Sequence, residues 1–251
     1  MKPKQLADFL NTYLEINKFK DYCPNGLQVD GGQSIKKIAL GVSASLELFR
    51  KAKKINAQAV LVHHGLFWEK NPLPLVGVQG KRVQFLFRNQ LSLMAYHLPL
   101  DAHPLIGNNA SIANKLNLRN QKPFAEHHGM EIGIIGSLEQ PLSFSVLSKK
   151  IQKIFGQVHA GFAFGSSQIK KVAIVSGGAA GDLYEAHLNR ADLFLTGETE
   201  EPTQEWCREA GMNFMSVGHA VSEQFGVKNL GKIITDKFNI PCVFLPVYNY
   251  Y

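Results

Sequence analysis

Ala59-Val60-Leu61-Val62-His63-His64-Gly65 is an apolar run that ends in two histidines and a glycine. Runs of Val, Leu and Ala this short and continuous form strands buried on both faces of a parallel sheet. In such sheets the functional groups collect just beyond the carboxyl ends of the strands. Residues 46–54 precede it with apolar side chains at helical spacing, and residues 38–42 form an earlier apolar run. Residues 38–62 therefore read as strand, helix, strand, which is a βαβ unit and an α/β fold class.

The remaining chain extends this pattern in both directions. Leu6, Phe9, Leu10, Tyr13 and Leu14 predict an amphipathic helix over residues 3–16, and Pro24-Asn25-Gly26 marks a turn. Pro72, Pro74, Gly77 and Gly80 predict that residues 65–80 loop over the histidine pair, with Phe67 and Trp68 in that loop as packing residues. A short helix at 83–89 and a strand at 91–96 lead into His97-Leu98-Pro99-Leu100-Asp101, and a helix follows at 108–116. Residues 119–130 are polar and read as a connection between domains. Beyond it come strand 131–138, helix 143–154 and strands 158–164 and 171–175. Helix 182–190, strand 192–195, helix 203–210 and strand 212–217 follow. A helix broken at Gly226 and Gly231 and a strand at 242–245 close the chain. The expected organisation is a first α/β domain at 1–125, a second at 126–224, and a C-terminal segment at 225–251 that packs back onto the first, with mixed sheets flanked by helices.

The two halves repeat. Shifted by 134 positions, residues 36–64 lie over residues 170–198 without a gap. Lys36/Lys170, Lys37/Lys171, Ala39/Ala173, Ala52/Ala186 and Ala57/Ala191 are identical, and His64 falls on Glu198. A shift of 122 lays residues 91–101 over 213–223, so that His97 meets His219 and Asp101 meets Glu223. Each half thus ends in His-x-x-x-carboxylate, as expected of one supersecondary unit used twice.

These residue types at these spacings suit a metal. His219 and Glu223 are four residues apart, which on a helix places both on one face about 5–6 Å apart. Pro99 disfavours helix at Leu98, so His97 and Asp101 are expected on a loop. His63, His64, Asp101, His219 and Glu223 supply three imidazoles and two carboxylates. That mixture suits two divalent ions such as zinc, iron or manganese and not calcium, which takes oxygen alone. Neighbouring strand residues point to opposite faces, so His63 and His64 are expected to serve different ions, with a carboxylate between them. His97 fits the role of orienting a ligand, and Glu198 the role of proton carrier or substrate contact.

Composition narrows the class. Of 251 residues, 45% are hydrophobic and 19% charged, and no apolar run approaches the roughly 20 residues that span a bilayer. Cys23, Cys207 and Cys242 are odd in number and far apart, which fits a reducing cytoplasm and neither a disulfide framework nor a Cys-based zinc site. The net charge of +7 favours an anionic partner, a nucleotide or nucleic acid, but the lysines fall in scattered pairs and form no single stripe.

Five ordered motifs, Asn25-Gly26-Leu27-Gln28-Val29, His63-His64-Gly65, His97-Leu98-Pro99-Leu100-Asp101, Thr196-Gly197-Glu198 and Gly218-His219-Ala220-Val221-Ser222-Glu223, together resemble the GTP cyclohydrolase I type 2 homologue family, the Nif-three-like proteins. The resemblance covers residues 5–246 in the short form of the family, without an inserted domain. It implies two similar interlocked α/β domains, a hexameric ring and a two-metal centre facing its cavity. It also implies His63, His64, Asp101, His219 and Glu223 as ligands. Some relatives look like GTP cyclohydrolases that open the guanine ring, and others are linked to DNA damage or partner proteins. The function expected is a metal-dependent hydrolase of a nucleotide. The alternatives are a phosphoesterase clearing damaged nucleotides and a non-catalytic metal-containing ring that binds nucleic acid or a protein.

Two further signals carry less. His127-His128-Gly129 follows a polar stretch and reads as a surface loop. The turn Ser176-Gly177-Gly178-Ala179-Ala180-Gly181 matches neither phosphate-binding fingerprint, so close backbone packing explains its glycines better.

Overall fold

Periodic apolar runs place the strands, and small residues with capping groups set where the helices start and stop. The computed structural model describes residues 1–68 and 74–248, and every count of elements below refers to these. In chain order the first elements are α1 (Pro3–Tyr13), β1 (Gly26–Val29), β2 (Ile38–Ser43), α2 (Leu46–Lys54), β3 (Ala59–His64), α3 (Gly77–Arg88) and β4 (Ser92–Ala95). Next come α4 (Leu98–Ala102), α5 (Asn108–Lys115), β5 (Arg119–His127), β6 (Met130–Leu142), α6 (Phe144–Phe155), β7 (Ala160–Ala163) and β8 (Ile169–Val175). The chain ends with α7 (Leu183–Leu188), β9 (Leu193–Thr196), α8 (Thr203–Ala210), β10 (Asn213–Ser216), α9 (His219–Ser222), α10 (Gln224–Phe238) and β11 (Cys242–Phe244). Two compact units result, Met1–Leu100 with Gly226–Tyr248, and Asp101–Phe225.

The first unit is a mixed sheet in the order β1-β4-β3-β2-β11, parallel except for β1. Ser45 caps α2 by accepting from Leu48 N at 3.2 Å, a contact typically worth about 1 kcal/mol. Helix α2 then buries Leu48, Phe49 and Ala52 with Val83 and Leu86 of α3 against Val60, Val62, Leu93 and Ala95. Helices α1 and α10 meet each other through Phe9 and Phe238, whose rings cross edge to face at 5.0 Å. Gly231 of α10 sits against Leu40 of β2 so closely that a Cβ there would lie 2.3 Å from Leu40 Cδ1.

The second unit has the order β5-β6-β8-β9-β10-β7, with β8, β9 and β10 parallel and the rest antiparallel. Ile112 and Ala113 of α5, Leu116 at its end, and Leu147, Ile151 and Phe155 of α6 pack on Val172, Ile174, Leu193, Leu195 and Met215. Alternate residues face the other way: Phe194 contacts Phe124 and Phe214 there, at 6.5 and 6.0 Å between ring centres.

The repeat is visible at the level of single hydrogen bonds. Ile38 pairs with Ala59 and Gly41 with Val62, just as Val172 pairs with Leu193 and Val175 with Thr196, each 134 positions on. β1 lies antiparallel on β4, and β7 lies antiparallel on β10. Gln58 Oε1 accepts from Lys36 N and Lys37 N, and its counterpart Asp192 Oδ2 accepts from Lys170 N and Lys171 N. The repeated lysines also act locally, since Lys37 Nζ donates to Ile55 O at the end of α2, and Lys171 Nζ to Asn189 O at the end of α7. Cations at helix C-termini meet the exposed carbonyls and the negative end of the dipole. Strand register also refines the second alignment. Ser92 and Asn213 occupy equivalent rungs, Ala59↔Ser92 and Leu193↔Asn213, so these strands match at a shift of 121. The histidines match at 122 because the second unit carries one extra residue before its histidine, Gly218 at φ 109°.

Several expectations are corrected. Residues 98–102 form helix α4 and not a loop; Pro99 is in its first turn, where the missing N–H has no intrahelical partner to lose. The expected loop at 65–80 gives way to α3 from Gly77 onward, and its residues 69–73, including Pro72, lie outside the described residues. The polar stretch 119–130 is strand β5 and the start of β6; β5 is polar because it is an exposed sheet edge. His128 and Gly129, both at positive φ, make the two-residue turn between them. Gly226 and Gly231 do not break α10, and both are buried within it. Strand β1 carried no periodic signal in its four residues.

Candidate functional site

In the first unit the donors gather where the parallel strands end. His63 and His64 are the last two residues of β3, and His97 follows β4 by one residue. One ring nitrogen of each lies within 4.8 Å of one from the other two. Every imidazole is tethered through Nδ1. His63 Nδ1 donates to Tyr96 O at 2.9 Å, His64 Nδ1 bonds Ser43 Oγ at 3.1 Å, and His97 Nδ1 donates to Asp21 Oδ1 at 2.9 Å. Metal-binding histidines are held this way, with the second nitrogen fixed by a protein acceptor so that the first is aimed.

The segment around the Asn25-Gly26 turn braces these loops. Asn25 Oδ1 accepts from His97 N at 2.8 Å, and Gln28 Oε1 accepts from Leu66 N at 2.8 Å. Gly65 has no room for a side chain, since a Cβ would lie 2.2 Å from Gln28 Nε2. Trp68 crosses His97 edge to face at 5.2 Å and stands 6.0 Å from Tyr22, while Phe67 packs on the hydrophobic core.

In the second unit the donors are mostly carboxylates. Asp101 lies on α4 and is buried; its Oδ1 accepts from Asn108 Nδ2 at 2.8 Å and Ser176 Oγ at 3.2 Å. His219 opens α9, with Nδ1 donating to Glu198 Oε1 at 2.6 Å and Nε2 lying 3.1 Å from Glu223 Oε2. Burial alone would lower the His219 pKa, but its bonds to Glu223 and Glu198 and their charges outweigh that and push it up to about 9. Carboxylate oxygens of Asp101 and Glu223 lie within 4.8 Å of each other, and the two residues are only 5% and 4% exposed. Two buried carboxylates this close to each other and to His219 make a donor set that a cation would balance, whether the imidazolium or a metal ion.

The glycine-rich turn packs onto these groups, as its spelling suggested. Gly177 adopts φ +75°, and a Cβ there would lie 2.2 Å from Glu223 Oε1. Its N–H donates to Ser222 Oγ at 2.9 Å, and its carbonyl accepts from Gly197 N and Glu198 N. Gly197 is the counterpart of His63, and the approach of the Gly177 carbonyl, 2.6 Å from an added Cβ, explains why no histidine stands there.

The donor chemistry fits divalent metal ions. Within the first unit His63, His64 and His97 are brought together; within the second, Asp101, His219, Glu223 and Glu198 are. His127 stands apart from these donors: it ends β5 and meets Asp182 at 3.1 Å. Cys207 is buried, and burial pushes its thiol up to about 11, so it is no nucleophile. Sequence reasoning missed Asp21, Ser43, Asn108 and Ser176. Asp21 had one available signal, its place four residues ahead of Asn25, but nothing in the spacing ties it to a histidine 76 positions away.

Comparison with known proteins agrees over nearly the full length. Residues 1–249 match the family Duf34/NIF3 (NGG1p interacting factor 3). A protein of Archaeoglobus fulgidus called GTP cyclohydrolase 1 type 2 homolog is 39% identical over 247 residues, covering 98% of both chains. One of the same name from Haemophilus influenzae is 38% identical and covers 99% of both. The crystal structure of TTHA1606 from Thermus thermophilus superposes with a TM-score of 0.91 at 34% identity, covering each chain completely.

Proposed function

Because this chain belongs to the Duf34/NIF3 family, we propose that it is a metal-dependent hydrolase acting on a nucleotide, with GTP as the leading substrate. The observation that carries the metal is the pair of buried carboxylates, Asp101 and Glu223, beside an imidazole whose Nδ1 is already engaged by Glu198. His63, His64, Asp101, His219 and Glu223 would hold two divalent ions, zinc, iron or manganese. Two such ions supply Lewis acidity and lower the pKa of bound water.

The chain's own groups do the rest. Ser43 and Tyr96 O hold His64 and His63 in orientation, and Asn108 and Ser176 do the same for Asp101. Glu198, 37% exposed at its side chain, fixes His219 and is placed to exchange a proton with solvent or substrate. The names of the relatives favour water attack at C8 of a purine, and the +7 charge favours a phosphorylated substrate.

A cytoplasmic homo-hexameric ring is what the family resemblance implies, and it is part of the proposal. Among the described residues no helix is long and apolar enough to cross a membrane. Elemental analysis of protein purified without chelator should find close to two metal ions per chain. His219→Ala should lose at least one. GTP incubated with zinc-, iron- or manganese-loaded protein should give a ring-opened product. Metal-loaded protein that leaves the guanine ring intact with every ion overturns the cyclohydrolase reading, and phosphate release without ring opening establishes the phosphoesterase.

A further inference from the structure

We propose that Asp21 is a positioning residue: it locks His97 with the proton on Nδ1 and aims Nε2 at the His63–His64 pair as a proton acceptor. The proposal rests on the hydrolytic reading above. A carboxylate can only accept, so the 2.9 Å contact places a proton on His97 Nδ1. The two side chains are 7% and 3% exposed, which leaves little water to compete for the bond.

Asp21 is itself immobilised by four hydrogen bonds. Oδ1 accepts from Cys23 N and His97 Nδ1, and Oδ2 accepts from Asn25 Nδ2 and Leu98 N, each at 2.9 Å. The Leu98 bond also satisfies an N–H that has no intrahelical acceptor at the start of α4, so one carboxylate sets both the imidazole and the helix that follows it. Tyr22 and Trp68 close on the ring edge to face at 5.1 and 5.2 Å. His63 and His64 are 5.0 and 5.7 Å away on the ring centres.

The internal repeat supplies an independent observation. His97 and His219 are equivalent positions, and each has its Nδ1 on a carboxylate. The two carboxylates come from places that are not equivalent: Asp21 precedes β1, whereas Glu198 follows β9. The position equivalent to Glu198 is His64. Repetition of the scaffold therefore does not produce the Asp21 contact, and a carboxylate-held imidazole recurs by two separate routes. A carboxylate on Nδ1 fixes the tautomer and the plane of the ring, so that Nε2 is left as the acceptor nitrogen. In the hydrolytic step an O–H bond of the attacking water breaks as its oxygen bonds to C8 of the purine, the C8=N7 π pair moves onto N7, and the proton passes to Nε2 of His97.

The test is nitrogen-15 NMR of histidine-labelled, metal-free wild-type protein, with H97Q assigning the resonances. The expected spectrum shows Nδ1 of His97 as the protonated, pyrrole-type nitrogen and Nε2 as the pyridine-type one. A His97 protonated on Nε2, or averaged between the two forms, overturns the proposal, and this measurement needs no Asp21 variant to fold. Asp21→Asn should then release the ring into averaging, keep the wild-type metal content, and lower kcat about 10- to 100-fold with KM little changed. Unchanged kcat in a metal-loaded Asp21→Asn protein also overturns it. A wild-type protein with the expected tautomer but no affinity for metal would sink the metal reading and leave the positioning of His97 standing.

Discussion

At the scale of residues, Gly177 carries more than its neighbours in sequence suggest. It is in the left-handed region, its N–H and C=O are both engaged, and Glu223 occupies the space a side chain would need. Gly177→Ala should cost about 1–2 kcal/mol from backbone strain alone, read as a lower urea midpoint of metal-free protein. It should also lower metal content, because Glu223 must move.

His127 predicts a pH dependence elsewhere. Its bond to Asp182 raises its pKa above the ordinary value, against the opposing effect of partial burial. A raised folded-state pKa gives stability that is fully present below the unfolded value, about 6.5, and lost as pH rises through the folded one. The stability difference between wild type and His127→Gln should therefore be on the order of 1 kcal/mol near pH 5–6. It should shrink toward zero at alkaline pH. Denaturant titrations across that range check it, and a difference that grows with pH contradicts it.

At the scale of elements, α10 shows why a glycine in a helical pattern is ambiguous. Propensity favours Ala over Gly there by about 0.5–1 kcal/mol, yet a Cβ at Gly231 would meet Leu40 Cδ1 at 2.3 Å. Overpacking of this kind costs about 1–3 kcal/mol, so Gly231→Ala should destabilise. Adding Leu40→Ala removes the obstruction, and the double variant should lose less than the sum of the two singles, measured as denaturation midpoints. The same ambiguity of local signals explains α4. Pro99 excludes a helix that arrives from before it but suits one that begins beside it, and the start is set by Asp21 accepting from Leu98 N.

For the whole molecule, metal binding should be linked to folding. An ion that binds the folded state alone adds about 2.7 kcal/mol of stability at a free concentration one hundred times its Kd. Tm should rise with added zinc or manganese, fall with chelator, and respond less in His219→Ala. A Tm indifferent to metal and chelator in the wild type would count against the centre. The repeat belongs to this scale too: matching strand registers and the paired roles of Gln58 and Asp192 show one unit used twice.

What the sequence by itself determined was local and periodic. Continuous apolar runs and helical spacing located β2, α2 and β3, α8 was bounded correctly at Thr203–Ala210, and the ungapped 134-residue shift foretold the register of two sheets. His63, His64 and His97 were legible because they stand at or just beyond strand ends, which such runs reveal, and Asp101 and Glu223 because each stands four residues after a histidine. The tertiary structure alone decided which acceptor holds each imidazole, that β5 is an edge strand, and that Gly231 is a contact and not a break. Those outcomes depend on pairings between residues tens of positions apart, fixed by strand order and close packing, and no local pattern in the chain encodes them.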